Sequence, residues 1–498
     1  MLLFKDGMIV DGTGAPAYRG DVLVKDGRIA EVGTFERPAE SETVDCAGLY
    51  VSPGFIDMHS HSDLQVLSGE RVKPDQGVTT EVVGNCGFSA YPCGPDPKPI
   101  RDFANGIFCG DDQWSWKDAR SYLADTAERA ALVNVISLVG HGTLRIAHMG
   151  PRQGPPQPGE MDAMEQSLAG SLEAGSSGFS TGLMYAPGSS APREELVALC
   201  RVVARHDKLY ATHMRSYSFE LLESIDEQLD LVRASGARLQ ISHLQAVGQK
   251  NWAKQALALE KLEQARDEGI DVAFDIYPYQ AGSTVLTQLL PQWALDGGTP
   301  AMMARLTDPD ERARIRKATL AQTAQQWENI FISAVGSATN ESLVGKHLSQ
   351  IGDERGVEPI DAAIDLLIEE QGAVNMLSFN QSEDNLRRLL THPLCSVISD
   401  GFFVKGRPHP RLYGTFPFLL GEICRERKWM TLEDAVHRIT AKPAARFGIK
   451  DRGRLAAGCH ADLCVFDFEH VAGTATYENP VSAPVGIRGV YRAGKRIV

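Results

Sequence analysis

The segment Gly54-Phe55-Ile56-Asp57-Met58-His59-Ser60-His61 runs from an apolar, strand-like triplet into two histidines separated by one residue. In extended backbone, residues i and i+2 face the same way, so His59 and His61 can aim their imidazoles at one point. A lone histidine is ordinary. A pair at strand spacing, leaving the C-terminal end of an apolar run, is an arrangement suited to a metal. The same placement recurs downstream. His213 closes Leu209-Tyr210-Ala211-Thr212, His243 closes Leu239-Gln240-Ile241-Ser242, and Asp400 closes Val397-Ile398-Ser399. Cys86 follows the apolar run 79–83 within Gly84-Asn85-Cys86-Gly87.

These runs belong to a longer alternation of short apolar stretches and helical patterns. Residues 133–139, 272–276 and 394–398 continue it, with Ser177-Gly178-Phe179-Ser180 as a weaker member. Strand–helix alternation predicts parallel strands joined by helical crossovers. Eight such units close into a (β/α)₈ barrel with its chemistry at the C-terminal strand ends. Residues 376–379 supply one candidate strand too many, which the sequence does not place. The chain is therefore expected to be α/β, with a TIM barrel over residues 54–446. Within it, 281–340 break the alternation with Gly282, Gly297-Gly298, Pro300 and a charged helical stretch, and are expected to form a lid insertion. Tight-turn pairs such as Asp6-Gly7, Asp11-Gly12 and Asp26-Gly27 separate short β-type runs near the start, and Ala461-Asp462-Leu463-Cys464-Val465-Phe466 repeats the style near the end. Residues 1–53 and 447–498 are expected to pair into one small β-sandwich domain.

Composition bounds the partners. Of 498 residues, 50 are Lys or Arg and 64 Asp or Glu, a net charge of −14, which leaves no basic footprint for nucleic acid or an anionic membrane. Hydrophobic residues at 43% and charged ones at 23% indicate a globular chain rather than a disordered one. Met1-Leu2-Leu3-Phe4-Lys5-Asp6 lacks the apolar core of a secretory signal, and the apolar stretch 130–140 is interrupted by Asn134 and too short to cross a bilayer. Nine scattered cysteines do not form a disulfide framework. A cytoplasmic protein with reduced thiols is expected.

Imidazole, thiolate and carboxylate together suit Zn²⁺ better than the oxygen-seeking Mg²⁺ or Ca²⁺. A thiolate has more than one usable lone pair, so Cys86 can bridge two metal positions. Tyr277 and Arg411 add a phenol and a planar guanidinium, the latter able to hold a carboxylate through two hydrogen bonds. His141 also ends an apolar run and is a candidate for support behind the site, and His409 for support of the Arg411 loop.

The segment 54–61 resembles the His-x-His signature of the amidohydrolase superfamily, metal-dependent hydrolases on a (β/α)₈ barrel. His213, His243 and Asp400 match its later ligands, and Gly453-Arg454-Leu455 with Ala461-Asp462-Leu463 is similar to its split β-sandwich. A narrower resemblance is to the N-acyl-D-amino-acid deacylase (D-aminoacylase) family. It rests on Gly84-Asn85-Cys86-Gly87, Ala211-Thr212-His213-Met214-Arg215, Asp275-Ile276-Tyr277-Pro278-Tyr279-Gln280-Ala281-Gly282-Ser283-Thr284 and His409-Pro410-Arg411-Leu412-Tyr413-Gly414-Thr415-Phe416. In that family a cysteine takes the place of the carboxylated lysine that bridges metals in hydantoinases. The resemblance implies that Cys86, His213 and His243 hold a tight zinc, while His59, His61 and Asp400, sharing Cys86, line a second, weaker site. It makes Asp400 the general base and acid, Tyr277 a donor to substrate oxygen, and Arg411 the grip on the substrate α-carboxylate. The family has a lysine assisting that carboxylate where this chain has Gln245, with Lys250 further along as the nearest replacement. The implied reaction is zinc-dependent removal of the acyl group from an N-acyl-D-amino acid. A cyclic-amide hydrolase of the hydantoinase or dihydroorotase kind, a D-dipeptidase and a non-catalytic scaffold are the alternatives.

Overall fold

The computed structural model describes residues 1–109, 114–324 and 326–498. Its centre is a parallel sheet of eight strands in sequential order. These are β1 (Phe55–Asp57), β2 (Val78–Val83), β3 (Asn134–Gly140), β4 (Gly178–Gly182), β5 (Leu209–His213), β6 (Arg238–Ile241), β7 (Val272–Ile276) and β8 (Cys395–Val397). Most of their residues are buried on both faces, as parallel strands under helices require, which is why they read as apolar runs. The crossover helices are amphipathic. In Arg193–Arg205, Leu196, Leu199, Cys200 and Val203 recur at helical spacing and are buried. Leu221–Ser235 ends at Gly236, whose φ of 79° lets the chain turn back toward the next strand.

The sheet closes through bonds just beyond the ends of β1 and β8. His61 N–H donates to Gly401 O at 3.0 Å, and Asp400 N–H to His59 O at 2.9 Å. Beneath them Asp57 accepts from Ser399 N–H at 3.0 Å and from Ser399 Oγ, and forms a buried ion pair with Lys73. Removing one partner of such a pair leaves an uncompensated charge in the interior, so Lys73 and Asp57 tie the seam as a unit.

Residues 376–379 lie outside the barrel. Val374–Phe379 is the middle strand of an antiparallel three-stranded sheet, between Ala281–Val285 and Ile330–Val335. Helices including Gly298–Thr307, Pro309–Gln322 and Pro359–Glu369 pack with it around a separate apolar cluster containing Leu306, Ile315, Ile351, Ile364 and Leu367. The excursion expected at 281–340 thus continues to residue 379 before the chain rejoins the barrel.

Both chain ends share another sheet. Leu463–Phe466 runs antiparallel to Tyr50–Pro53, and Ile487–Arg492 pairs with Leu463–Phe466. A register break at Asp6-Gly7 lets the first half of Leu2–Ile9 pair with Glu42–Asp45 and the second half with Tyr50–Pro53. Phe4, Val22, Val51, Leu463 and Val465 form its core. No helix among the described residues is long and apolar enough to cross a membrane.

Candidate metal centre and active site

The strand ends bring the sequence candidates together. His59 and His61 follow β1, Cys86 follows β2, His213 is the last residue of β5, His243 follows β6 and Asp400 follows β8; all are buried. Cys86 Sγ lies 3.3 Å from His59 Nε2 and 3.5 Å from His243 Nε2. Asp400 Oδ1 lies 3.4 Å from His59 Nε2 and 3.3 Å from His61 Nε2. Three overlapping sets have donor atoms within 4.8 Å of one another: Cys86 with His213 and His243, Cys86 with His59 and His61, and His59 with His243 and Asp400. Cys86 belongs to two of them, which suits a shared ligand. Neither nitrogen of His213 has a hydrogen-bond partner. Buried polar atoms without partners are costly, and a cation among these donors relieves that cost. The residues fit a metal of the zinc type.

Three of these residues hold unusual backbone: φ is 53° at Cys86, 35° at His243 and 49° at Asp400. Left-handed backbone at non-glycine positions is uncommon, and it persists where surrounding bonds over-determine it. Asp275, on β7, supplies one such constraint. Its Oδ1 accepts from His243 N–H at 2.7 Å and lies 3.4 Å from His59 Nδ1, and its Oδ2 accepts from Gln240 Nε2 at 2.9 Å. A carboxylate behind a metal-directed imidazole orients the ring and fixes its tautomer. Asp275 opens the 275–284 motif, and no local feature of the sequence marks its role.

Charge is distributed to match. Burial pushes the His213 and His243 imidazoles down, the latter to about 4, so both stay neutral and available as ligands. Burial also disfavours charge on His59, but Cys86 and Asp400 outweigh it and hold that imidazole well above its ordinary value. At Asp400 burial raises the carboxyl, while Arg411 and His59 pull it well below the usual carboxylate range.

A cavity of about 750 Å³ opens above the cluster and is lined by Gln245, Tyr277 and Arg411 on one side. Tyr277 O–H donates to Gln245 Oε1 at 3.4 Å, and burial drives its pKa up to about 12, keeping it a donor. Arg411 NH1 lies 3.0 Å from Asp400 Oδ2, and its guanidinium carbon sits 4.5 Å from the Tyr277 ring centroid. His409 Nδ1 accepts from Arg411 N–H at 2.9 Å and Nε2–H donates to Ala281 O at 2.9 Å, so it supports the loop. Lys250, the nearest replacement for the family's carboxylate-assisting lysine, is exposed on the turn Gln249–Asn251 and is not among the residues that line this cavity. His141 is buried against Glu195, its Nε2 at 2.7 Å from Oε1, with Arg145 NH1 at 2.6 Å from Oε2. Arg145 also reaches Ser190 Oγ at 3.5 Å, bracing the loop that carries Tyr185, whose ring lies 4.8 Å from His213.

Known proteins resemble this chain over nearly its whole length. An amidohydrolase family model matches residues 42–498. The N-acyl-D-glutamate deacylase of Alcaligenes xylosoxydans xylosoxydans is 36% identical over 491 residues, spanning 98% of this chain and 92% of that protein. The D-aminoacylase of the same organism is 34% identical over 497 residues, spanning 99% and 93%. Among solved structures, the N-acyl-D-glutamate deacylase of Bordetella bronchiseptica, complexed with zinc and a phosphonate that mimics the tetrahedral intermediate, aligns with a TM-score of 0.85. It is 35% identical and covers 100% of this chain and 96% of that one.

Proposed function

The chain belongs to the amidohydrolase family, and within it we propose that it is a zinc-dependent hydrolase converting N-acyl-D-amino acids to D-amino acids and carboxylates. The observation that carries this reading is the convergence of Cys86, His213, His243, His59, His61 and Asp400 beneath a cavity walled by Arg411, Tyr277 and Gln245. Cys86, His213 and His243 would hold the tight ion, and His59, His61 and Asp400 would complete a weaker position around the shared thiolate. Zinc, when bound, supplies Lewis acidity, polarising a carbonyl oxygen and making water acidic enough to yield hydroxide near neutral pH.

The chain's own groups do the rest. Asp400 takes the proton of the attacking water and returns it to the leaving nitrogen, base first and then acid. Tyr277 O–H donates to the oxygen on which negative charge develops. Arg411 receives the α-carboxylate, and Gln245 adds a neutral donor beside it. Because Gln245 carries no charge, a neutral or cyclic amide is the second reading.

Cys86→Ala protein, purified with zinc supplied, is expected to lose most of its tightly held metal, since two imidazoles alone make an incomplete site. Elemental analysis reads this directly. Full retention would remove Cys86 from the metal shell.

The cavity also bears on the amino acid released. Leu183, Met184, Leu289 and Leu290 line it, and Arg215 is engaged by Glu227 at 2.9 Å. Arg411 apart, a side-chain carboxylate placed there would be desolvated with no unpaired cation among the described lining residues. N-acetyl-D-leucine is therefore expected to exceed N-acetyl-D-glutamate in kcat/KM by at least about tenfold, with the L-enantiomers slower still. A panel of N-acetyl and N-formyl D- and L-amino acids assayed with zinc tests both points. No turnover of any D-acyl substrate would overturn the proposed function, and a preference for glutamate would overturn the side-chain assignment.

A further inference from the structure

A second cavity, of about 310 Å³, adjoins the catalytic one. Ile107, Tyr185 and Gln288 line both. The remaining wall is mostly apolar, with Phe88, Phe103, Ile146, Val285, Leu295 and Met302. Phe88 stacks on Phe103 with ring centroids 4.4 Å apart and meets Tyr185 edge-on at 5.0 Å. This aromatic wall begins at the metal ligands, since Tyr185 lies 4.8 Å from the His213 ring and Phe88 lies 6.3 Å from that of His61. It ends at the surface, where Lys98 and Asp102 pair with each other.

Topology says which part of a substrate reaches it. Gln245, Tyr277 and Arg411 follow β6, β7 and β8, whereas Phe88 and Tyr185 follow β2 and β4; in a barrel of sequential strands these are opposite arcs of the mouth. In R–CO–NH–CHR′–COO⁻ the scissile carbon lies between R and the carboxylate-bearing nitrogen. With the carboxylate on the β6–β8 arc and the carbonyl over the ligands, R faces the β2–β4 arc. We infer that the second cavity receives the hydrocarbon chain of the acyl group, making medium-chain N-acyl amino acids better substrates than N-acetyl ones. Its volume of about 310 Å³ leaves room for a chain of several methylenes. Each methylene moved from water into such a wall favours binding by up to roughly fourfold. Hydrolysis itself is unchanged: the C–N bond breaks, water's oxygen bonds the acyl carbon, and the nitrogen gains a proton. The inference rests on the deacylase reading of the site.

Thr287 and Leu295 line the second cavity and not the catalytic one, so Thr287→Trp and Leu295→Trp fill it without touching the ligands. With the zinc-loaded enzyme, kcat/KM is measured for N-acetyl-, N-hexanoyl- and N-octanoyl-D-leucine. The expected result is a gain of at least about tenfold from acetyl to octanoyl in wild type, lost in both variants while their N-acetyl turnover persists. Binding of octanoate and acetate, read by calorimetry, supplies an arm independent of turnover: octanoate should bind tighter to wild type and lose that advantage in the variants. A flat or falling acyl series with good N-acetyl turnover overturns the inference and leaves the deacylase reading standing. Octanoate binding no tighter than acetate also overturns it. So does a variant effect that follows the amino-acid side chain, compared as N-acetyl-D-norleucine against N-acetyl-D-alanine, and not the acyl length. If no amide is hydrolysed, the deacylase reading fails and the acyl-chain inference falls with it, even where octanoate binds.

Discussion

Asp400→Asn is expected to lower kcat by roughly 10²–10⁴-fold, the usual weight of a positioned acid–base group, with fold and tight metal content near wild type. The substitution keeps the planar shape and removes the proton-accepting charge. Asparagine is among the residues that best tolerate left-handed backbone, so the φ of 49° at this position is preserved. Asp400 N–H still donates to His59 O, and the seam between β1 and β8 retains Asp57, Lys73 and Ser399. The proposed tight ligands Cys86, His213 and His243 are untouched. A loss of turnover with retained zinc therefore isolates proton transfer from metal binding. The measurement pairs single-turnover kinetics with elemental analysis on the same preparation. Near-normal kcat would require another base.

The barrel was legible because strands buried on both faces have little choice but to be apolar. That same property made residues 376–379 ambiguous. Val374–Phe379 is as buried as a barrel strand, and what excludes it is antiparallel pairing with Ala281–Val285 and Ile330–Val335, which no local pattern encodes. The opposite error threatened at β4. Its Gly178-Phe179-Ser180-Thr181-Gly182 looks weak as a strand, yet the small residues are demanded by packing: a Cβ at Gly178 would lie 2.2 Å from Leu209 O, and one at Gly182 would lie 2.0 Å from Cys86 O. The proposed ligands were found through strand-end spacing, a local signal. Asp275 and Lys73 were passed over because a carboxylate behind a histidine, or a lysine under a seam, acquires meaning only from partners far along the chain. Nor did the residue types announce the left-handed turns at Cys86 and His243, which surrounding bonds impose.

Arg411→Ala is expected to cut kcat/KM for an N-acyl-D-amino acid by roughly 10²-fold or more, in line with truncating one member of a buried charge pair. For the matching amino-acid carboxamide the loss should be much smaller, because that substrate lacks the anion. The distinction matters because Arg411 already touches the chemistry. It is 1% exposed, lies 3.0 Å from Asp400 Oδ2, and stacks on Tyr277. Removing it therefore has two routes to lower activity: loss of the carboxylate anchor, or release of Asp400 from its neighbouring cation. The acid–amide comparison separates them, since the second route penalises both substrates equally. Arg411 Nε has no hydrogen-bond partner, so the guanidinium retains donor capacity for a ligand beyond its contact with Asp400. A planar fork offering two parallel donors is a strong carboxylate anchor without the lysine that Gln245 replaces. The carboxylate route is therefore expected to dominate. Equal losses for acid and amide would assign Arg411 to Asp400 instead of the substrate. A wild-type preference for the carboxamide would move the substrate class to neutral or cyclic amides, the outcome that an uncharged Gln245 at this wall would then explain.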